Sequence, residues 1–206
     1  SGLIQQKGEG PLFLFLYQKR QNYKMENNFQ SKAYFAGGCF WCTEHDLREL
    51  AGVVDVVSGY AGKEGNPTYE NHKSFREAVE VVYDIEKTSF KKLCQFFIDH
   101  IDPTDGGGQF FDRGESYKTA IYFQNEEEKQ IAESAILELK ESKVYDEEIF
   151  LDVLPFEFFY KAEEYHQNYA VKNPDHYYAY RSGSGRGEFQ AKTCLVRDQK
   201  KVFWKD

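Results

Sequence analysis

The chain has 206 residues, a formal charge of −8 and a pI near 5.3. That length suffices for one domain with a full core, and the acidic balance excludes nonspecific nucleic-acid binding, which needs a basic face. No apolar run approaches the roughly 18–20 residues of a membrane span, so neither nucleic acid nor membrane is an expected partner.

Four cysteines, Cys39, Cys42, Cys94 and Cys194, are too few and too unevenly spaced for a disulfide-stapled scaffold. A redox-active pair in a reducing compartment, the cytoplasm, is the expectation. Fifteen tyrosines and 18 phenylalanines can build a core and also the hydrogen-bonding walls of a wet cleft.

In chain order, Pro11–Tyr17 is apolar but has neither a basic segment before it nor a small-residue cleavage site after it. The only methionine, Met25, opens Met25-Glu26-Asn27-Asn28, which reads as a natural start. Residues 1–24 are therefore set apart from the fold. The division expected is an N-terminal extension over 1–29, a domain carrying the chemistry over 30–187 and a C-terminal tail over 188–206.

Lys32–Ala36 reads as strand, and Phe40 to about Leu50 as helix stopped by Gly52. The β-branched run Val53–Val57 predicts strand; Gly59-Tyr60-Ala61-Gly62 and Gly65-Asn66-Pro67 predict loop. Glu77–Tyr83 is a strand pattern. Thr88 or Ser89 caps a helix to His100 with Phe90, Leu93, Cys94, Phe97 and Ile101 on one face. Asp102–Glu115 is a long Gly- and Asp-rich loop, a length that marks function or disorder. Strand follows at Tyr117–Phe123, helix at Asn125–Lys140, strand at Ile149–Val153 and a short helix at Ala162–Val171, stopped by Pro174. The tail from Arg181 reads as irregular, wrapping the surface or mobile. This order predicts an α+β fold: a ferredoxin-like split βαβ sandwich with an additional C-terminal helix and a long irregular tail.

The chemistry centres on Cys39-Phe40-Trp41-Cys42. A strand, a glycine turn and a helix start put Cys39 where backbone N–H groups point outward, which predicts a lowered thiol pKa. Structural zinc needs four ligands and finds too few: His45 is near, but Cys94 belongs to another helix face. A redox dithiol suits the spacing, because Cys42 is one helical turn from an oxidised Cys39. Thioredoxin-like proteins share Cys-x-x-Cys at a helix start, but only one strand precedes the motif here. The bulky Phe40-Trp41 also suits a wall for a small apolar group better than a docking surface. A general thiol–disulfide oxidoreductase using Cys39 and Cys42 is the alternative function. Strand alternation by itself leaves Glu77 facing solvent.

From Lys32 to Arg186 the chain resembles the A-type peptide methionine sulfoxide reductases. Gly38-Cys39-Phe40-Trp41-Cys42 is similar to that family's nucleophile motif. So, in order, are Gly59–Gly62, Asn66-Pro67-Thr68-Tyr69, Glu77–Val81, Val82-Tyr83-Asp84, Asp102-Pro103-Thr104, Asp112-Arg113-Gly114 with Tyr117, Ala162–Gln167 and Asn173-Pro174. The resemblance implies Cys39 as nucleophile on the sulfoxide sulfur and Phe40 and Trp41 as the cradle of the methyl group. It further implies Tyr60, Glu77 and Tyr117 as partners of the sulfoxide oxygen, with Glu77 as proton donor, and Asp112 and His166 as supports. The product is a Cys39 sulfenic acid, closed to a disulfide by a second thiol and recycled by thioredoxin, or by dithiothreitol in vitro, without metal or organic cofactor. Substrates are free methionine sulfoxide and oxidised proteins, and the expected state is a monomer. Phe75-Arg76 and Gly114-Glu115-Ser116 depart from the usual pattern. Ser184-Gly185-Arg186 stands where some relatives carry a resolving cysteine, so the candidates are Cys42, favoured, and Cys194.

Overall fold

The first strand, β1 (Gln30–Ala36), runs through Gly37 and Gly38 into α1 (Phe40–Arg48). Then follow β2 (Val53–Gly62), β3 (Arg76–Asp84), α2 (Phe90–Asp99), two short strands β4 (Gly108–Gln109) and β5 (Asp112–Arg113), and β6 (Ala120–Phe123). The chain continues through α3 (Glu126–Ser142), β7 (Asp152–Pro155), β8 (Phe158–Lys161), α4 (Tyr169–Lys172), α5 (Pro174–Gly183) and α6 (Arg186–Lys200). This computed structural model describes residues 29–200 and residue 204, without the side chains of Cys194 and residues 197–200. The Pro11–Tyr17 run, Met25 and the expected N-terminal extension through residue 28 lie outside the described residues.

One six-stranded sheet has the order β7-β6-β1-β3-β2-β8. Its four inner strands, β6-β1-β3-β2, are joined in the succession β1-α1-β2-β3-α2-β6. Alternation along β1 divides the core. Ala33 and Phe35 join the main core, where the Phe35 ring meets Phe97 at 4.9 Å and Phe90 at 6.2 Å. Tyr34 and Ala36 point to the other face, against Ala61, Ala78, Ala120 and Tyr122, and Phe156 stacks on Tyr34 at 3.9 Å. Helix starts follow local rules. Ser89 accepts from the Lys92 N–H at 3.3 Å, and Asn125 from the Glu128 N–H at 2.9 Å.

Several expectations change. Gly59–Gly62 is not loop but the second half of β2, paired with β3 on one side and β8 on the other. Its glycine is a close-approach residue: a Cβ on Gly59 would stand 2.4 Å from the Tyr160 carbonyl oxygen. The aromatic run after Pro155 supplies that edge strand, β8. Tyr117 belongs to a 3-10 turn (Glu115–Tyr117), and the strand starts only at Ala120. The helix expected over Ala162–Val171 is two short pieces, Glu164–His166 and α4, divided at Asn168, whose φ is 53°. Tertiary bonds impose that break: the Glu44 carboxylate accepts the Asn168 N–H, and the Gln167 side chain bonds both backbone groups of Ser58.

The expected stop before Pro174 holds, since α4 ends at Lys172, and Pro174 also opens α5, because proline fits the first helical turn. The tail is helical over Arg186–Lys200, so the expected 187/188 boundary falls inside α6. Gln190 of that helix donates to Asp46 at 3.0 Å and to the His100 carbonyl at 2.9 Å. Beyond it, the Trp204 indole donates to Asp99 at 2.9 Å. No helix among the described residues is long and apolar enough to cross a membrane.

Candidate active site

Cys39 is the N-cap of α1, and its thiol makes no capping hydrogen bond. The N–H groups of a helix start need acceptors. Glu77, reaching across from β3, accepts the Phe40 N–H at 3.0 Å. The turn before the helix is secured by Arg186, which donates to the Gly37 carbonyl at 2.8 Å and to the His100 carbonyl at 3.1 Å. Gly38 takes a φ of +77°, and a Cβ there would lie 2.5 Å from the Gln109 side chain. The glycine turn is therefore required by both conformation and space.

These elements enclose an open pocket of about 260 Å³ lined by Cys39, Phe40, Trp41, Tyr69, Glu77, Asp112, Tyr117, His176 and Tyr180. Of the residues expected from the sequence, Cys39, Phe40, Trp41, Glu77, Asp112 and Tyr117 meet there. Tyr60 stands behind them: its ring packs 5.8 Å from Phe40, and its hydroxyl donates to Glu163 at 3.0 Å. His166 also stands behind the wall, buried, with its Nδ1 accepting the Trp41 indole N–H at 3.1 Å. Trp41 is held further by a parallel stack on Tyr169 at 3.8 Å. Cys94 lies in the core of α2. The side chain of Cys194 is outside the described residues.

Three lining residues carried no expectation. Tyr69 lies within a stretch that matched the family pattern but had no role. His176 and Tyr180 come from α5 at i, i+4 spacing, a stretch to which the sequence reading assigned no element. Tyr180 donates to Asp112, tying α5 to the 102–115 loop across the pocket. The unusual Phe75-Arg76 pair points elsewhere. Phe75 is packed against Tyr160, while Arg76 donates to the Thr119 carbonyl at 3.0 Å and pairs with Asp152 at 2.7 Å. His72 instead approaches Glu77, with Nε2 3.6 Å from Oε1.

Burial sets the protonation of the site. Glu77 is 2% exposed, and burial with the nearby Asp112 charge pushes its carboxyl up to about 8, against the Phe40 N–H and Tyr117 that favour the anion. It is thus a carboxylic acid at neutral pH. Strand alternation did not leave it in solvent, because β3 is covered on both faces. The expected lowering at Cys39 is overturned. Burial raises that thiol well above its usual range, as does its S–H donated to Cys42. Cys42 receives the benefit: the Cys39 S–H and the charges of Arg186 and Arg181 bring it down to about 7 against the cost of burial. Among the described residues, no group of three or more His, Cys, Asp or Glu side chains gathers as a metal site.

The pocket thus gathers the Cys39 thiol, the Glu77 carboxyl and an aromatic floor. Residues 31–197 fit the family profile of the peptide methionine sulfoxide reductases. The chain belongs to this family. A reductase of this kind from Bacillus velezensis, MsrA, is 50% identical over 162 residues, covering 76% of this chain and 92% of the relative. The solved methionine sulfoxide reductase A of Corynebacterium diphtheriae is 32% identical with a TM-score of 0.62, covering 71% of this chain and 76% of that one. Mxr1 of Saccharomyces cerevisiae in its reduced form is 29% identical with a TM-score of 0.66, covering 71% and 87%. The chain is accordingly an oxidoreductase, and its reaction is the reduction of methionine sulfoxide.

Proposed function

We propose that the chain reduces the (S)-epimer of methionine sulfoxide, free and in proteins, through a sulfenic acid on Cys39 that Cys42 resolves and thioredoxin recycles. Each of the two reductase types repairs one epimer, and the (S)-epimer is the one proposed for this chain, whose relatives are named MsrA. The observation that carries the mechanism is the buried Glu77 carboxyl 3.0 Å from the N–H of the residue after Cys39, where burial favours its protonated form. Phe40 and Trp41 receive the methyl group, and Tyr117 joins Glu77 at the sulfoxide oxygen. Glu77 gives its proton to that oxygen as the Cys39 sulfur attacks, and the carboxylate so formed takes the Cys39 proton. In net terms oxygen passes from the methionine sulfur to the Cys39 sulfur, reducing the first and oxidising the second. Cys42 then displaces the sulfenic oxygen as water, closing a disulfide.

Returning that disulfide to two thiols needs an external dithiol. Mxr1 of yeast is also solved in complex with Trx2, and thioredoxin is the reductant proposed for this chain. A monomer acting in the cytoplasm without metal or organic cofactor completes the reading. General thiol–disulfide exchange is less well supported, because it has no use for the buried Glu77 carboxyl that is hydrogen-bonded beside Cys39.

The test uses single variants. Cys39→Ser is expected to abolish sulfoxide reduction with dithiothreitol. Cys42→Ser is expected to release one methionine per enzyme and then stop with thioredoxin, while Cys194→Ser cycles normally. Full cycling by Cys42→Ser sinks the assignment of Cys42. Insulin reduction at a rate matching sulfoxide turnover would instead support general exchange.

A further inference from the structure

His72 opens the short 3-10 turn His72–Ser74 that leads into β3, and its side chain is buried beside Glu77. Its carbonyl accepts the Phe75 N–H at 2.8 Å and the Ser116 hydroxyl at 3.3 Å, which joins this turn to the one that carries Tyr117. The imidazole stacks near Tyr60 and Tyr69, with ring centroids 5.1 and 5.8 Å away, and meets Tyr117 edge-on at 6.2 Å. Its Nδ1 lies 2.7 Å from the Tyr69 carbonyl oxygen. A carbonyl only accepts, so Nδ1 carries the hydrogen and Nε2 carries the lone pair of the neutral ring. Nε2 is the nitrogen on the side of Glu77, 3.6 Å from Oε1. The two oxygens of that carboxyl are not equivalent. Oε2 accepts the Phe40 N–H at 3.0 Å, which leaves Oε1, the oxygen facing His72, for the acid proton.

We propose that His72 is the positioning residue for Glu77: its Nε2 lone pair accepts the proton on Oε1 and keeps that carboxyl loaded and oriented between turnovers. This rests on the reading of Glu77 as the proton donor. The separation is a few tenths of an ångström beyond hydrogen-bond length, and catalytic hydrogen bonds of this kind tighten when substrate enters. Glu77 is also faced by Cys39 and Cys42 of α1, Tyr60 of β2, Asp112 of β5, and Tyr69 and Tyr117. His166 faces His72. The Asp112 and Cys42 charges favour the acid, whereas the Phe40 N–H and Tyr117 favour the anion. A hydrogen bond accepted from the neutral carboxyl adds to the first side. In the step it serves, the sulfoxide oxygen takes the proton from Oε1, and the carboxylate regains one from Cys39 under the same ring nitrogen.

The experiment is single-turnover methionine release from the full chain, wild type against His72→Asn, from pH 5.5 to 9. Asn keeps an N–H for the Tyr69 carbonyl and has nothing at the place of Nε2. At pH 8 the variant is expected to be about fivefold slower, its alkaline decline beginning about one pH unit earlier. At pH 5.5, where solvent protons load Glu77 without help, the deficit is expected to shrink to less than about twofold. Equal slowing at both pH values, the mark of a merely structural role, overturns the proposal, as does no slowing at pH 8. Glu77→Gln has no acid proton to offer His72, so adding His72→Asn to it is expected to change the remaining rate by less than about twofold. A fivefold further loss at pH 8 in that background also overturns the proposal. Should His72→Asn fail to fold, nitrogen-15 NMR of the wild-type histidine rings decides. At pH 7.5 the His72 ring is expected to carry its hydrogen on Nδ1 and a bare, hydrogen-bonded Nε2, and a hydrogen on Nε2 overturns the assignment. Methionine release at the wild-type rate by Glu77→Gln removes the donor reading and this proposal with it. A slow Glu77→Gln beside a normal His72→Asn removes only the role of His72.

Discussion

Glu77 Oε2 accepts the backbone N–H of Phe40 at 3.0 Å, so the carboxyl proposed as proton donor is hydrogen-bonded to the residue directly after the proposed nucleophile. One bond thereby sets the separation between acid and thiol and occupies an N–H that the Cys39 side chain leaves open. Replacing Glu77 with Gln preserves the shape and removes the transferable proton. Methionine release in a single turnover is expected to fall about 10²–10⁴-fold, with the fold intact by circular dichroism.

The same residue predicts a pH profile. With Glu77 as the proposed acid and its carboxyl pushed up to about 8, the rate of methionine release should decline above that pH. In Glu77→Gln the remaining slow rate is expected to lose this limb. A wild-type rate that stays flat to pH 9.5 removes Glu77 as the donor.

Stability carries the opposite face of that shift. In the folded chain Glu77 keeps its proton up to about 8, against 4.5 for the free side chain. Between those values the folded state binds more protons than the unfolded state, so stability falls as pH rises through the window. Thermal melts should show Glu77→Gln gaining on the wild type from pH 5 to pH 8. An equal difference at both pH values contradicts the buried-acid assignment.

His166 holds Trp41 through the indole N–H, and burial lowers the imidazole's own tendency to protonate. His166→Leu leaves that N–H without its acceptor, a loss of about 1–3 kcal/mol. The expected kinetic result is a KM about tenfold higher with kcat largely kept, because the floor of the pocket loosens while Cys39 and Glu77 stay in place. A fall in kcat alone would assign His166 to the chemical step.

Gly59→Ala tests the pairing of β2 with β8. The added Cβ would meet the Tyr160 carbonyl oxygen and the Phe159 ring, both at 2.4 Å. Urea denaturation should show a loss of about 1–3 kcal/mol, the range for overpacking. An unchanged midpoint would mean that β8 yields freely at the sheet edge.

Local chemistry is the part of this protein that its sequence states directly. Phe90, Leu93, Cys94 and Phe97 mark the buried face of α2, Ser89 and Asn125 cap their helices, and Val53–Val57 can only be strand. Expectations based on residue type alone failed where a distant partner overrules the local preference. Gly59 is strand because β8 lies against it, and Asn168 breaks a helix because Glu44 holds its N–H. Proline at 174 both follows the end of α4 and opens α5, since the first turn of a helix spares its missing N–H.

The sequence by itself determined the nucleophile motif, the order of the core elements and the residues that share the pocket floor. Their types and spacing are covalent facts, and helix and strand periodicities follow from them within a few residues. Only the tertiary structure decided the protonation of the site and its closure by α5. A carboxyl's affinity for its proton depends on how much water reaches it, and a thiol's on which charges surround it. Glu77, Cys39 and Cys42 acquire those surroundings from β3, α5 and α6, tens of residues away along the chain. Burial raises the Cys39 thiol, while the Cys39 S–H and two arginines lower that of Cys42.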